Sequence, residues 1–291
     1  MTASASSWCG EPVLAVAGDG WDARVSPRRG GKIVSLRALG VEWLAQPMLP
    51  LPPPAEPGAA FTDAEMCGWD ECAPSIVSCA VGGREIPDHG ELWTQPWMPD
   101  GDWLTAVGPS FDYQLARRLV SLGSTLRIEY VIRTGNEDVP FLWAAHPQFV
   151  APAGSEVRCE TTATRVLDVM REPAVAVELG AALCRTDTLE PGGCRKFYLA
   201  PEDSAASVSL VRPGGQRLTM TWAAEVAPYL GIWLDRCAWS REPVVAIEPA
   251  TGHYDSLRTA LQRGLVPVVP RRSELAWWCE LSFAESADAS A

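Results

Sequence analysis

The sequence predicts an all-β fold, a large antiparallel sandwich with few and short helices, and three observations carry that expectation. Short segments rich in β-branched or aromatic residues recur along the chain. Gly, Pro, Asn and Asp punctuate them, with 24 glycines and 25 prolines to supply turns. Helical periodicity is scarce, and no repeat of fixed period interrupts the β pattern.

In chain order the predicted strands are WDARVSP at 21–27, KIVSLRAL at 32–39, STLRIEYVIRT at 124–134, ASVSLV at 206–211, QRLTMTW at 216–222, YLGIWL at 229–234, VVAIEP at 244–249 and LAWWCELSF at 275–283. The clearest helix is SLRTALQRG at 256–264, short and ended by Gly264. Residues 46–58, QPMLPLPPPAEPG, carry six prolines and must run as an extended surface loop, because proline withholds a ladder donor. One domain over 8–284 is expected, with small, polar and loose tails at 1–7 and 285–291.

Composition narrows the function. At 291 residues and 47% hydrophobic, the chain can bury a substantial core. A net charge of −12 repels polyanions, so nucleic acid is not an expected partner. No basic stretch leads into an apolar run and no long uncharged apolar stretch occurs, so a soluble protein without membrane contact is expected. Nine cysteines, an odd number spread along the chain, argue for reduced thiols and a cytoplasmic location. Cys67, Cys72 and Cys79 near His89 lack the close pairing of structural zinc sites, so no metal is expected and cysteine serves as a small apolar residue.

Only three histidines occur, so the groups able to move protons near neutrality are few. His89 lies in PDHGELWTQPW and His146 in FLWAAHPQF. Glu248 follows the apolar run VVAI, where an ionised carboxylate is costly unless it is paired or faces a site. His253, in a turn-like string, reads as a loop residue near Glu248. Between Phe61 and Trp103 the chain concentrates carboxylates, among them Asp63, Glu65, Asp70, Glu71, Asp88 and Glu91, with Trp69, Trp93, Trp97 and Trp103. Carboxylates accept hydrogen bonds from hydroxyls and an indole covers the C–H face of a pyranose, so the segment suits a sugar. Tryptophans in β proteins also build cores, and acidic loops are also simply solvated; both readings stand at this point.

The strings GWDECAPSI at 68–76, PDHGELWTQPW at 87–97, FLWAAHPQF at 141–149 and VAIEPATG at 245–252, in this order, resemble the aldose 1-epimerase, or galactose-mutarotase-like, family. The likeness spans roughly residues 15–283. It implies a β-supersandwich and an enzyme that interconverts the α and β anomers of an aldose by opening and reclosing the ring, without a cofactor. Matched by string, Glu248 is the base and His146 the acid, while His89 holds the ring oxygen and neighbouring hydroxyls. The family's usual early arginine and asparagine are replaced here by GWDE, which makes Asp70 and Glu71 candidate hydroxyl ligands beside Trp93 and Trp97. An aspartate that many mutarotases place between the histidine and the glutamate has no counterpart by string.

Acidic groups in that loop disfavour a phosphorylated sugar, although Arg84, Arg195 and Lys196 remain candidate anion ligands. A neutral monosaccharide is the expected substrate, and a monomer or homodimer the expected assembly. A non-catalytic sugar-binding protein on the same fold is the alternative. A glycoside hydrolase or lyase is a further one, needing paired carboxylates such as Asp70 and Glu248 across a scissile bond.

Overall fold

Two large antiparallel sheets dominate the computed structural model, which describes residues 4–171 and 173–285. The larger sheet has thirteen strands among the described residues, and its centre runs through Lys32–Ala38, Trp69–Cys72, Ala144–Pro147, Val244–Ala250, Tyr229–Asp235 and Cys194–Tyr198. The second sheet has eight, centred on Gln216–Trp222, Glu274–Glu285, Thr125–Thr134 and Tyr113–Leu122. Each segment anticipated as β in the sequence lies in one of these strands.

Alternation explains how each strand meets the core. Along Thr125–Thr134, Leu126, Ile128, Tyr130 and Ile132 are buried. The intervening charges pair across the outer face, Arg127 with Glu280 at 2.6 Å and Arg118 with Glu129 at 2.7 Å. Val244–Ala250 differs, since every residue in it is buried. Val245 and Ile247 belong to the main core, and Val244 packs in a second cluster with Trp8, Val34, Ala45 and Cys67.

The short helix is Leu257–Arg263, and its ends follow local chemistry. The Ser256 side chain accepts the Thr259 N–H, and Gly264 closes the last turn at φ 67°, a conformation that favours glycine. The proline-rich stretch 46–58 forms no strand. Arg29 Nη2 donates to the Pro52 carbonyl at 2.7 Å, which ties that loop to the sheet.

The N-terminal tail differs from the sequence reading. Ser4–Trp8 is an edge strand paired with Glu11–Gly18, held by a backbone ladder that polar serines do not prevent and by the buried Trp8 indole, whose N–H donates to Gln46. Glu285 likewise ends a strand, Glu274–Glu285. The rest of the expected tails, 1–3 and 286–291, lies outside the described residues.

Two residues of the acidic, tryptophan-rich segment belong to the core rather than to a sugar site. Glu71 is fully buried between the sheets, where Oε1 accepts from Arg117 Nη1 at 2.7 Å and from the Tyr130 hydroxyl at 3.0 Å, and Oε2 from Trp143 Nε1 at 2.8 Å. Trp97, 1% exposed, donates its indole N–H to Leu92 and carries the Arg117 guanidinium 5.2 Å over its ring. Trp69 is also wholly buried.

Removing one partner of a buried ion pair leaves an uncompensated charge. Glu71→Ala is therefore expected to cost about 3–5 kcal/mol of stability, read from urea unfolding, by stranding Arg117 between the sheets.

Candidate functional site

The site is assembled by strand register. Asp70 lies opposite His146, Glu248 opposite Gly231, and Gly231 opposite Tyr198. The pairs Ala144↔Ala250 and Phe149↔Val245 define one register, and continuing it between them sets His146 opposite Glu248. Pro147 and Pro249 carry no N–H, which accounts for the unpaired stretch of ladder at that point. The Ile33↔Trp69 pair, continued by one residue, sets Lys32 opposite Asp70. Six strands thus contribute one transverse row: Lys32, Asp70, His146, Glu248, Gly231 and Tyr198.

Side chains of directly opposed residues share a face. Asp70 therefore turns to the same side as His146 and Glu248, whereas its neighbour Glu71 turns into the core. A one-residue step along the strand separates the two carboxylates that the sequence offered together.

At the centre of the row, His146 Nδ1 lies 3.1 Å from Glu248 Oε1, although 102 positions separate them in sequence. The second carboxylate oxygen, Oε2, lies 2.8 Å from Lys196 Nζ. Lys196 in turn is 2.7 Å from Asp255 Oδ1, which also accepts the Tyr198 hydroxyl at 2.6 Å. Burial alone would raise the Glu248 pKa, but Lys196 and His146 outweigh it and bring it down to about 2. Glu248 is 1% exposed and remains ionised. Gly231 keeps this corner open, since a Cβ there would sit 2.9 Å from the Tyr198 ring and 3.2 Å from Glu248 Oε2.

His89 arrives from above the sheet. Gly90 bridges back to Ala73, at the end of the Trp69–Cys72 strand, so closely that a Cβ on Gly90 would lie 2.1 Å from the Ala73 oxygen. This contact swings the His89 ring to 5.3 Å from that of His146. Asp88 Oδ1 lies 3.0 Å from His89 Nδ1. Burial nevertheless lowers the His89 pKa, with the Asp88 hydrogen bond opposing, so the ring is neutral at pH 7.

Phe61 forms the roof. Its ring stacks on His89 at 3.9 Å, meets His146 edge-on at 5.3 Å and packs against Trp93 at 5.1 Å, while its N–H donates to Asp88 Oδ2. Trp93 is buried, with its N–H on the Asp88 carbonyl, so it supports the roof from behind. Trp233, opposite Lys196 on the neighbouring strand, closes the other side with its ring 5.7 Å from that of His146.

No family model and no curated protein matches the sequence. Solved structures do match. The Slr1438 protein of Synechocystis superposes with a TM-score of 0.72 at 15% identity, covering 94% of this chain and 96% of that one. A galactose mutarotase-like protein of Clostridium acetobutylicum gives 0.69 at 15% identity over 97% and 98% of the two chains. The chain has the galactose-mutarotase-like fold. A proposed aldose 1-epimerase of Escherichia coli K12 shares it, at a TM-score of 0.69 and 16% identity, over 94% of this chain and 99% of that one. The resemblance seen in the strings of the sequence thus extends to the architecture.

Within this mutarotase-like sheet the candidate anion ligands fall differently from their sequence reading. Arg84 pairs with Glu137 at 2.7 Å, and Arg195 donates to the Leu183 carbonyl at 2.8 Å. Lys196 is bound to two carboxylates. His253 is buried, 3.2 Å from the Leu199 carbonyl and edge-on to Tyr198, so it is a packed residue rather than an open-loop one. Sequence reading missed the roles of Phe61, Tyr198 and Asp255. Tyr198 carried one available signal, lying two residues after Lys196 and hence on the same face of a strand. Among the described residues no group of three or more His, Cys, Asp or Glu side chains is placed to hold a metal ion.

Asp70 supplies a test of this arrangement. Burial raises its pKa to about 6 against the opposing pull of Lys32 Nζ, 3.1 Å away. The folded state therefore holds this proton more tightly than the unfolded state does. The corresponding stability is complete below about pH 4 and is lost as pH rises through about 6. Asp70→Asn abolishes the titration, so its stability relative to wild type should improve by on the order of 2 kcal/mol between pH 4 and pH 7, measured by urea melts at each pH.

Proposed function

We propose that the protein is an aldose 1-epimerase-like isomerase that interconverts the anomers of a neutral monosaccharide. The observation that carries this reading is the contact between Glu248 and His146. Ring opening removes a proton from O1 and delivers one to O5, and both oxygens are bonded to the same carbon. An acceptor and a donor must therefore stand side by side, as these two do at 3.1 Å.

In the forward direction Glu248 takes the O1 proton while His146, as the acid, gives one to O5 and the C1–O5 bond breaks. Rotation about C1–C2 exposes the other face of the aldehyde. Reclosure reverses both transfers and inverts C1, leaving each group as it began. No electrons are exchanged, so the cycle needs no redox cofactor.

Glu248 is held at both oxygens, which keeps it ionised and oriented before substrate arrives. A sugar whose O1 and O5 enter between Glu248 and His146 breaks their mutual hydrogen bond. Losing that interaction removes one of the two that depress the Glu248 pKa, so the carboxylate becomes a better base when the sugar is in place. His89, neutral, offers a ring nitrogen to a sugar oxygen. Asp70 stands next to His146 in the row as a hydroxyl acceptor, and its Oδ1 has no hydrogen-bond partner among the described residues. With Lys196 already between two carboxylates, this corner lacks the spare positive charge that a sugar phosphate requires, which favours a neutral substrate.

Polarimetry or exchange NMR on freshly dissolved aldoses tests the assignment. Glu248→Gln and His146→Ala are each expected to slow anomer exchange by about 10²–10⁴ with normal unfolding curves. Saturable sugar binding without acceleration by the wild type would replace the enzyme with a sugar-binding protein.

A further inference from the structure

Lys196 has no place in the proton transfers described above, yet its ammonium contacts two carboxylates at the site. It projects from Cys194–Tyr198 on the Glu248 side of the sheet, in the position opposite Trp233. Its ammonium bridges Glu248 Oε2 at 2.8 Å and Asp255 Oδ1 at 2.7 Å. The second carboxylate is itself anchored, because Asp255 Oδ1 also accepts the Tyr198 hydroxyl at 2.6 Å. The Asp255 carbonyl receives the backbone N–H groups of Ile76 and Val77, both at 2.9 Å, just beyond the GWDE strand. The lysine is thus clamped from behind by a residue tied to two other parts of the fold.

We infer that Lys196 is a positioning residue that fixes Glu248 Oε2 and supplies the counter-charge that keeps this buried carboxylate available as a base, with Asp255 and Tyr198 holding the ammonium in place. The inference rests on the assignment of Glu248 as the proton acceptor. It adds to that assignment a chain, Asp255–Lys196–Glu248, running along the sheet away from the reacting oxygens.

The physical case is one of compensation. A carboxylate with 1% exposure cannot remain charged without a partner. Other ionisable groups face Glu248 from the surrounding elements. His146 lies on Ala144–Pro147, Cys72 on Trp69–Cys72 and Tyr198 on Cys194–Tyr198, with Asp70 and His89 beyond them. Cys72 and Tyr198 are buried with their pKa values raised, hence neutral, and His89 is neutral at pH 7. Asp70 carries a charge of the wrong sign. Lys196 is the permanent cation in contact with Glu248, and two carboxylates keep its own pKa well above normal despite burial. One ammonium between two carboxylates also leaves a net negative corner, so it stabilises Glu248 without adding an anion-binding site.

The test follows the Glu248 carboxyl directly by ¹³C NMR of protein labelled at glutamate Cδ, assigned with Glu248→Gln, from pH 3 to pH 8. In the wild type Glu248 is expected to stay ionised to pH 3; a midpoint above pH 4 overturns the inference without recourse to any variant. In Lys196→Met the midpoint should rise by at least two pH units, and an acid limb centred on that new midpoint should appear in the anomer-exchange kcat/KM profile. Lys196→Arg, which retains the charge, should return the midpoint toward the wild-type position. A uniform loss of activity at all pH values with an unmoved Glu248 midpoint would make Lys196 merely structural. A midpoint that moves as expected in a protein that accelerates no anomer exchange would leave the clamp intact and overturn the enzymatic assignment instead.

Discussion

Everything proposed for this protein depends on the register of one sheet. Asp70, His146, Glu248 and Tyr198 come from segments scattered over 178 positions, yet they line up across the sheet, with Gly231 between Glu248 and Tyr198. A slip of one residue in any strand would turn its side chain to the other face. The register is enforced from behind, where Trp69, Ala145, Ile247, Ile232 and Phe197 face the core and admit no alternative pairing. The polar row is therefore as rigid as the hydrophobic core that fixes it, the condition under which a proton acceptor and donor can be held ready at small cost in reorganisation.

Buried charge lies on both faces of this sheet, and the two faces use it differently. On the inner face Glu71 is satisfied at both oxygens by Arg117, Tyr130 and Trp143. On the outer face Glu248 and Asp70 are held by Lys196 and Lys32, but each arrangement is less complete: among the described residues Asp70 Oδ1 lacks a hydrogen-bond partner, and Glu248 Oε1 meets only the ring nitrogen of His146. Complete satisfaction makes a structural group. Partial satisfaction beside titratable rings makes a reactive one.

Phe61 covers the histidine pair. Its ring stacks on His89 and meets His146 edge-on. The Phe61 backbone N–H rests on Asp88, the same carboxylate that contacts His89, so the roof and the histidine share one anchor. A planar apolar ring over these groups occupies space of the shape that a sugar ring would take.

Local chemistry was enough to recognise the β architecture, the capped helix at 257–263, the proline loop, and three of the groups that meet at the site, His89, His146 and Glu248, because strand alternation, turn residues and scarce histidines are properties of short strings. It was not enough to separate Asp70 from Glu71, to see that Trp97 is core, or to find Phe61 and Asp255. Adjacent carboxylates look alike in a string, and only pleat parity within a paired sheet sends one toward the histidine and the other between the sheets. Lys196 was visible as a cation, and an anion site was the expectation for it. Its position is set by two carboxylates 52 and 59 positions downstream that close around it. Residue types and spacing establish which chemistry the chain can perform; long-range strand pairing, with the burial it imposes, decides which of those residues stand close enough to perform it.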